Sequence, residues 1–139
     1  MTTSKVIFNA QKTDGGMAFN GNIIFNEVTL NVGNDMSSDG FVAPFAGHYR
    51  LSFSAMGAFE KKGINTWVHV NKNGSEQFKI GDSNDGKQSD GNNISHNWIW
   101  YLNKGDKVSL EVNTFSYLRA TRAHPLNFNG ELVFVETPP

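Results

Sequence analysis

Two groups of side chains in this sequence have the types and spacing that could do chemistry. Arg119, Arg122 and His124 fall within six residues, where guanidinium forks could grip a carboxylate or phosphate on a glycan or bacterial polymer; the alternative is an ordinary solubilising loop. Asp82, Asp85 and Asp90 stand among Gly, Ser and Asn, and hard cations want several oxygens from such a segment. That spacing has no Glu at a twelfth position and so is not an EF-hand. A calcium site and a plainly solvated loop both remain open there.

The remaining candidates point away from catalysis. His48, His69, His96 and His124 form no i, i+2 or i, i+4 pair, so they do not compose a zinc site. There is no cysteine, hence no thiolate ligand, thiol nucleophile or disulfide scaffold. No Gly-x-Ser-x-Gly elbow, paired carboxylates or Gly-rich phosphate loop is present. An enzyme is not expected. Trp67, Trp98 and Trp100 could stack on sugar rings where exposed, but aromatics at strand period otherwise serve a core or a subunit interface. Lys104-Gly105-Asp106 reads as an inter-strand turn rather than an adhesive tripeptide. Asn73-Gly74-Ser75 and Asn93-Ile94-Ser95 are glycan acceptor sequons, relevant only after secretion.

The elements that position these residues are strands. Tyr49, Leu51, Phe53 and Ala55 alternate with His48, Arg50, Ser52 and Ser54, which is period two and predicts a central strand with one buried face. Val6, Phe8 and Ala10 alternate likewise, as do Val108, Leu110 and Val112. Asn73-Gly74 reads as a hairpin turn between Thr66–Asn71 and Gln77–Ile80, because Asn-Gly tolerates positive φ. Asn34–Gly40 and Ser116–Asn127 read as loops, the latter holding the basic cluster, and Phe128–Glu136 as the last strand. Trp98 to Leu102 is apolar on both faces, so it needs two covers; the second could be a neighbouring subunit. Turns about every ten residues, with no helical period, indicate an all-β sandwich.

With 139 residues and 38% apolar content, the chain is expected to be a single domain, residues 1–139 with a core over about 5–136. Twelve basic residues against 13 acidic ones give a net charge of −1, which offers no field for nucleic acid or an anionic membrane. No 18-residue apolar run exists, and Met1-Thr2-Thr3-Ser4-Lys5 lacks a signal h-region.

Phe41, five residues, then Gly47-x-Tyr49-x-Leu51-x-Phe53 resembles the signature of the complement C1q globular-head family. Phe25 and Asn31 upstream fit as well, with Met36 at an aromatic or Leu position. Leu51 replaces a Phe, and the spacer from Met36 to Phe41 is two residues shorter than the family's. Val68-x-Val70-x-x-Asn73-Gly74, Leu102-x-x-Gly105-Asp106-x-Val108-x-Leu110 and Phe128-x-Gly130-x-Leu132 resemble later family segments in the correct order. The resemblance implies a jelly-roll β-sandwich of about ten strands, C1q/TNF-like, usually a homotrimer. It implies a non-enzymatic, secreted recognition head that binds carbohydrates or lipopolysaccharide on microbial or cell surfaces, in the manner of an innate-immune lectin. Its alternatives are a TNF/C1q-like signalling ligand or a trimerising cap of a collagen-like protein, although these 139 residues hold no Gly-X-Y repeat. Several family members hold calcium near the trimer axis in the loop that matches Asp82, Asp85 and Asp90.

Overall fold

The computed structural model describes residues 5–57, 66–82, 93–112 and 118–135, with the backbone alone at 17–19, 66 and 82. Thirteen strands and no helix make up the described residues: β1 Ile7–Lys12, β2 Gly16–Phe19, β3 Gly21–Asn22, β4 Glu27–Val32, β5 Met36–Ser37, β6 Gly40–Val42, β7 Gly47–Gly57, β8 Thr66–Lys72, β9 Ser75–Asp82, β10 Asn93–Leu102, β11 Lys107–Val112, β12 Leu118–Ala120 and β13 Leu126–Val135. They form two antiparallel sheets. Sheet A runs β10–β7–β13–β1–β4, with β12 also on β7 and β2 on β12. Sheet B runs β5–β6–β11–β8–β9, with β3 on β11. This is the all-β sandwich the alternation predicts, in the jelly-roll form the family resemblance implies; the excess over ten strands is made of short pieces such as β3 and β5.

Between the sheets, the inward residues of β7 meet those of β1, β6 and β13. Phe8 stacks on Phe41 at 4.6 Å and meets Phe128 edge-on at 5.1 Å. Aromatic pairs in these geometries add about 0.5–1.5 kcal/mol beyond the area they bury. Tyr49 is fully buried, and its hydroxyl is satisfied by donating to the Phe45 carbonyl at 2.7 Å. Gly130 has no side chain for a steric reason: a Cβ there would lie 2.7 Å from both Leu51 and Phe8.

Two sequence expectations are corrected. Asn34–Gly40 is not wholly a loop, since Met36 is buried and pairs with Phe41 in sheet B. Ser116–Asn127 is not a single exposed loop either: β12 lies inside it, paired with β7 and with β2, and β13 already begins at Leu126. The Asn73-Gly74 turn is as expected, with φ of 53° and 83°. Both central residues are left-handed, as a type I′ hairpin requires.

Candidate recognition surfaces

Successive side chains of a strand alternate between faces, so every inward residue of sheet A leaves its neighbours on the outer face. At one end of that face these neighbours are apolar. His48 on β7 lies in register between Tyr101 of β10 and Phe134 of β13. Its ring stacks on Phe134 at 4.6 Å and meets Tyr101 edge-on at 5.4 Å. A bulge between Leu132 and Phe134 turns Phe134 to this side, which is what an extra strand residue does. The next register row reads Ile99, Arg50, Glu131, Ile7, Val32. Arg50 and Glu131 pair at 2.9 Å in its middle, beside a 310 Å³ trough lined partly by Ile7, Leu30 and Ser52. Ile99 is 55% exposed, Phe134 54% and Tyr101 41%.

A second apolar surface lies at the lateral edge. Among the described residues, β10 pairs only with β7 in sheet A, and β9 only with β8 in sheet B, so their inward side chains meet across the gap between the sheets. Phe78 of β9 contacts His96, Trp98 and Trp100 edge-on, with centroids 5.2–5.7 Å apart. The Lys72 ammonium stands 5.7 Å over the Trp100 ring, within cation–π reach. Phe78, Trp98 and Trp100 are only half-buried, and His96 is exposed. The two-sided apolar run Trp98–Leu102 is thereby explained: the tryptophans face the gap, and Ile99 with Tyr101 face outward.

The residues singled out by type do not come together as expected. Arg119 lies on β12, 6% exposed, with Nε donating to the Gly57 carbonyl at 3.0 Å; it ties β12 to the end of β7 rather than projecting from a loop. Its buried state follows from pairing on both sides. Arg122 is 81% exposed and forms an ion pair with Glu27 at 3.1 Å, an arrangement worth about 0–1 kcal/mol. His124 sits in the turn after β12, where Thr121 N–H donates to the His124 carbonyl at 3.3 Å and His124 N–H to the Thr121 carbonyl at 3.2 Å. It rims a 260 Å³ pocket with Ser54, Met56, Asn93, Ser95 and Pro125, a site that spacing alone did not reveal because it joins three separate segments. Asp82 closes β9; Asp85 and Asp90 lie outside the described residues, so the calcium expectation is not addressed by the geometry. Among the described residues, no three His, Asp or Glu gather as metal ligands.

Lys104-Gly105-Asp106 is the turn between β10 and β11, and it is bonded to the other hairpin. Asn73 Nδ2 donates to Asp106 Oδ1 at 2.9 Å, and Asn73 Oδ1 accepts from Lys107 N–H at 2.9 Å. The bond from Asn73 first, and with it one from the Asn103 N–H to Asp106 Oδ2 at 2.8 Å, hold the Asp106 carboxyl below the usual carboxylate range.

Comparison with known proteins agrees with this architecture. The globular domain of zebrafish complement 1qA protein superposes with a TM-score of 0.74 at 19% identity, over 96% of this chain and 100% of that one. Murine APRIL gives 0.67 at 13% identity, over 91% and 98%. Eiger TNF from S. frugiperda gives 0.62 at 10% identity, over 97% and 95%. At these identities the likeness is one of fold. No curated protein is significantly similar in sequence. The C1q domain profile, however, matches residues 7–133, nearly the whole chain, and the protein is therefore a member of the C1q domain family.

Proposed function

We propose that this chain is a non-enzymatic, secreted recognition head that assembles as a homotrimer and binds carbohydrate or lipopolysaccharide on microbial or cell surfaces. The observation that carries the assembly is that one chain bears two unlike apolar surfaces: the outer end of sheet A around His48, Tyr101 and Phe134, and the aromatic edge of Phe78, Trp98 and Trp100. Unlike surfaces that complement each other make a heterologous contact, and such contacts close into rings when the rotation permits. Heads of this family are typically trimeric and extracellular. Light scattering at micromolar concentration should give about three times 15.4 kDa, and a clean monomer would overturn the assembly.

The rival reading is a signalling ligand that presents its flanks to a receptor. It draws support from the shared fold with Eiger TNF. A glycan array separates the two, since a receptor ligand should leave it silent. The proposal also includes a calcium ion held by Asp82, Asp85 and Asp90, supported by three carboxylates in a Gly- and Ser-containing stretch. Calcium should then raise the melting temperature by mass action, and Asp85→Asn or Asp90→Asn should reduce the rise. No shift at millimolar calcium in metal-stripped protein would retire the site.

A further inference from the structure

The apolar end of sheet A holds one imidazole at its centre. His48 is half-buried between Phe134 and Tyr101, and its Nδ1 is shielded from solvent with no hydrogen-bond partner among the described residues. A neutral imidazole tolerates that position with a bare lone pair on Nδ1, at the cost of one unmade hydrogen bond. An imidazolium does not, because both of its nitrogens carry protons that need acceptors.

Few charged groups could answer such a proton. On β7, Arg50 lies two residues on, on the same face; on β13, Glu131 stands opposite Arg50 and is engaged by it at 2.9 Å. On β10 the neighbours on this face are the Tyr101 phenol and Ile99. Beyond β13, Lys5 precedes β1. Among the described residues, the one carboxylate beside His48 in these rows is therefore already taken by a cation. The aromatic edge, the other surface assigned to assembly, adds the Lys72 ammonium over Trp100 and the His96 ring beside Phe78.

Hydration separates the single chain from the assembly. On a single chain Phe134 and Tyr101 are 54% and 41% exposed, and water at this surface hydrates a charged ring. Under a second copy that water is gone, and the charge stands in an apolar contact, where it is expensive.

We infer that His48 is an acid-sensitive catch on the assembly: neutral, it lets the apolar end close against a second copy, and protonated, it keeps the copies apart. This rests on the homotrimer reading and adds its regulation. Imidazoles change charge between about pH 5 and 8, and a ring of identical chains repeats the site once per copy. Each copy that must shed a proton to assemble changes the association constant by up to about tenfold per pH unit, so three copies change it by up to about a thousandfold. Linked heads hold a surface far more firmly than single ones; a trimer that opens in acid therefore also releases the surface it was bound to.

The test follows the solution mass of the full chain by light scattering, at a fixed micromolar concentration, from about pH 7.5 to about 5.5. The mass should fall from trimer toward monomer while the strand signal in circular dichroism stays constant. A trimer at both ends of the range overturns the catch and leaves the assembly standing; a monomer at both ends removes assembly and catch together. A fall in mass that comes with loss of the strand signal is unfolding, and also counts against the catch. His48→Phe keeps a ring without a titrating nitrogen and should hold the trimer at the acid end, whereas His96→Gln, at the aromatic edge, should dissociate as the parent does. Dissociation that survives His48→Phe, or that His96→Gln abolishes, shows the catch to be elsewhere. Should neither His48→Phe nor His48→Gln assemble, the parent chain decides: dilution calorimetry near pH 6, in two buffers of unlike ionisation heat, reads the protons taken up as the copies part. Uptake that approaches about three protons per trimer is expected, and dissociation without uptake overturns the inference.

Discussion

The two ends of the outer face of sheet A are built on the same strands and over the same core, yet they differ in kind. At the His48 end, aromatic and aliphatic side chains stand exposed; at the Ser54 end, the same strands present amides and hydroxyls. The inward residues that support both ends, Tyr49, Leu51 and Phe53, are all fully buried apolar groups. Stability therefore comes from one side of the sheet, and the division of labour is written on the other.

If both ends rest on one core, the largest change should strike them together. Phe8→Ala removes a ring that touches Phe41 and Phe128, and should cost about 3–5 kcal/mol, read as a lowered urea midpoint by circular dichroism. Loss of assembly and of ligand binding should follow the same unfolding curve; separate curves would show that the ends do not share a core.

A smaller and sharper contrast comes from single charges. Ile99→Asp places a carboxylate in the apolar end and should drop the solution mass threefold while the fold persists, because an unpaired charge buried between copies is expensive. Asn97→Asp, two residues along the same strand face, should leave the mass unchanged. Equal dissociation by both would erase the distinction between the ends.

The smallest effect belongs to carboxylates that lie off this face. Lys12 holds Asp14 below the usual range, Lys107 and Ser37 do so for Asp39, and Asn73 for Asp106. A depressed folded value contributes stability that is present above the unfolded value of about 3.9 and lost as pH falls through the folded one. Asp35, raised by burial, acts in the opposite sense. With three such groups against one among the described residues, the melting temperature should decline as pH is lowered from about 5 to 3, and Asp106→Asn should make that decline shallower. A steeper decline in the variant would contradict the assignment.

Much of this arrangement was legible in the residue order. The alternation in β7 identified its buried face residue by residue, and Asn73-Gly74 announced its turn through backbone sterics. The apolar run Trp98–Leu102 showed that β10 needed cover on both sides. It did not show that β10 is an edge strand, because edge position depends on long-range pairing that no local pattern encodes. Arg119 was misplaced for a related reason. Arg and His residues after a polar stretch read as loop, while the two strands that flank Leu118–Ala120 come from residues about 60 and 100 positions earlier in the chain. The Ser54 pocket joins three segments and has no linear signature at all.

The Asn73-Gly74 turn has a consequence for how this protein ages. An asparagine followed by glycine is prone to attack of the next backbone nitrogen on its side-chain carbonyl, which releases ammonia and closes a cyclic imide whose hydrolysis leaves an aspartate or an isoaspartate. In the folded head that amide is held at both atoms, by Asp106 and by the Lys107 N–H, and the geometry for attack is withheld. In an unfolded chain it is free. The product would set a second carboxylate against Asp106, replacing a hydrogen bond with like-charge repulsion and raising the Asp106 carboxyl that the amide had held down. Each excursion from the native state thus carries a chance of a permanent mark, placed where the hairpin of one strand pair is fastened to the turn of another.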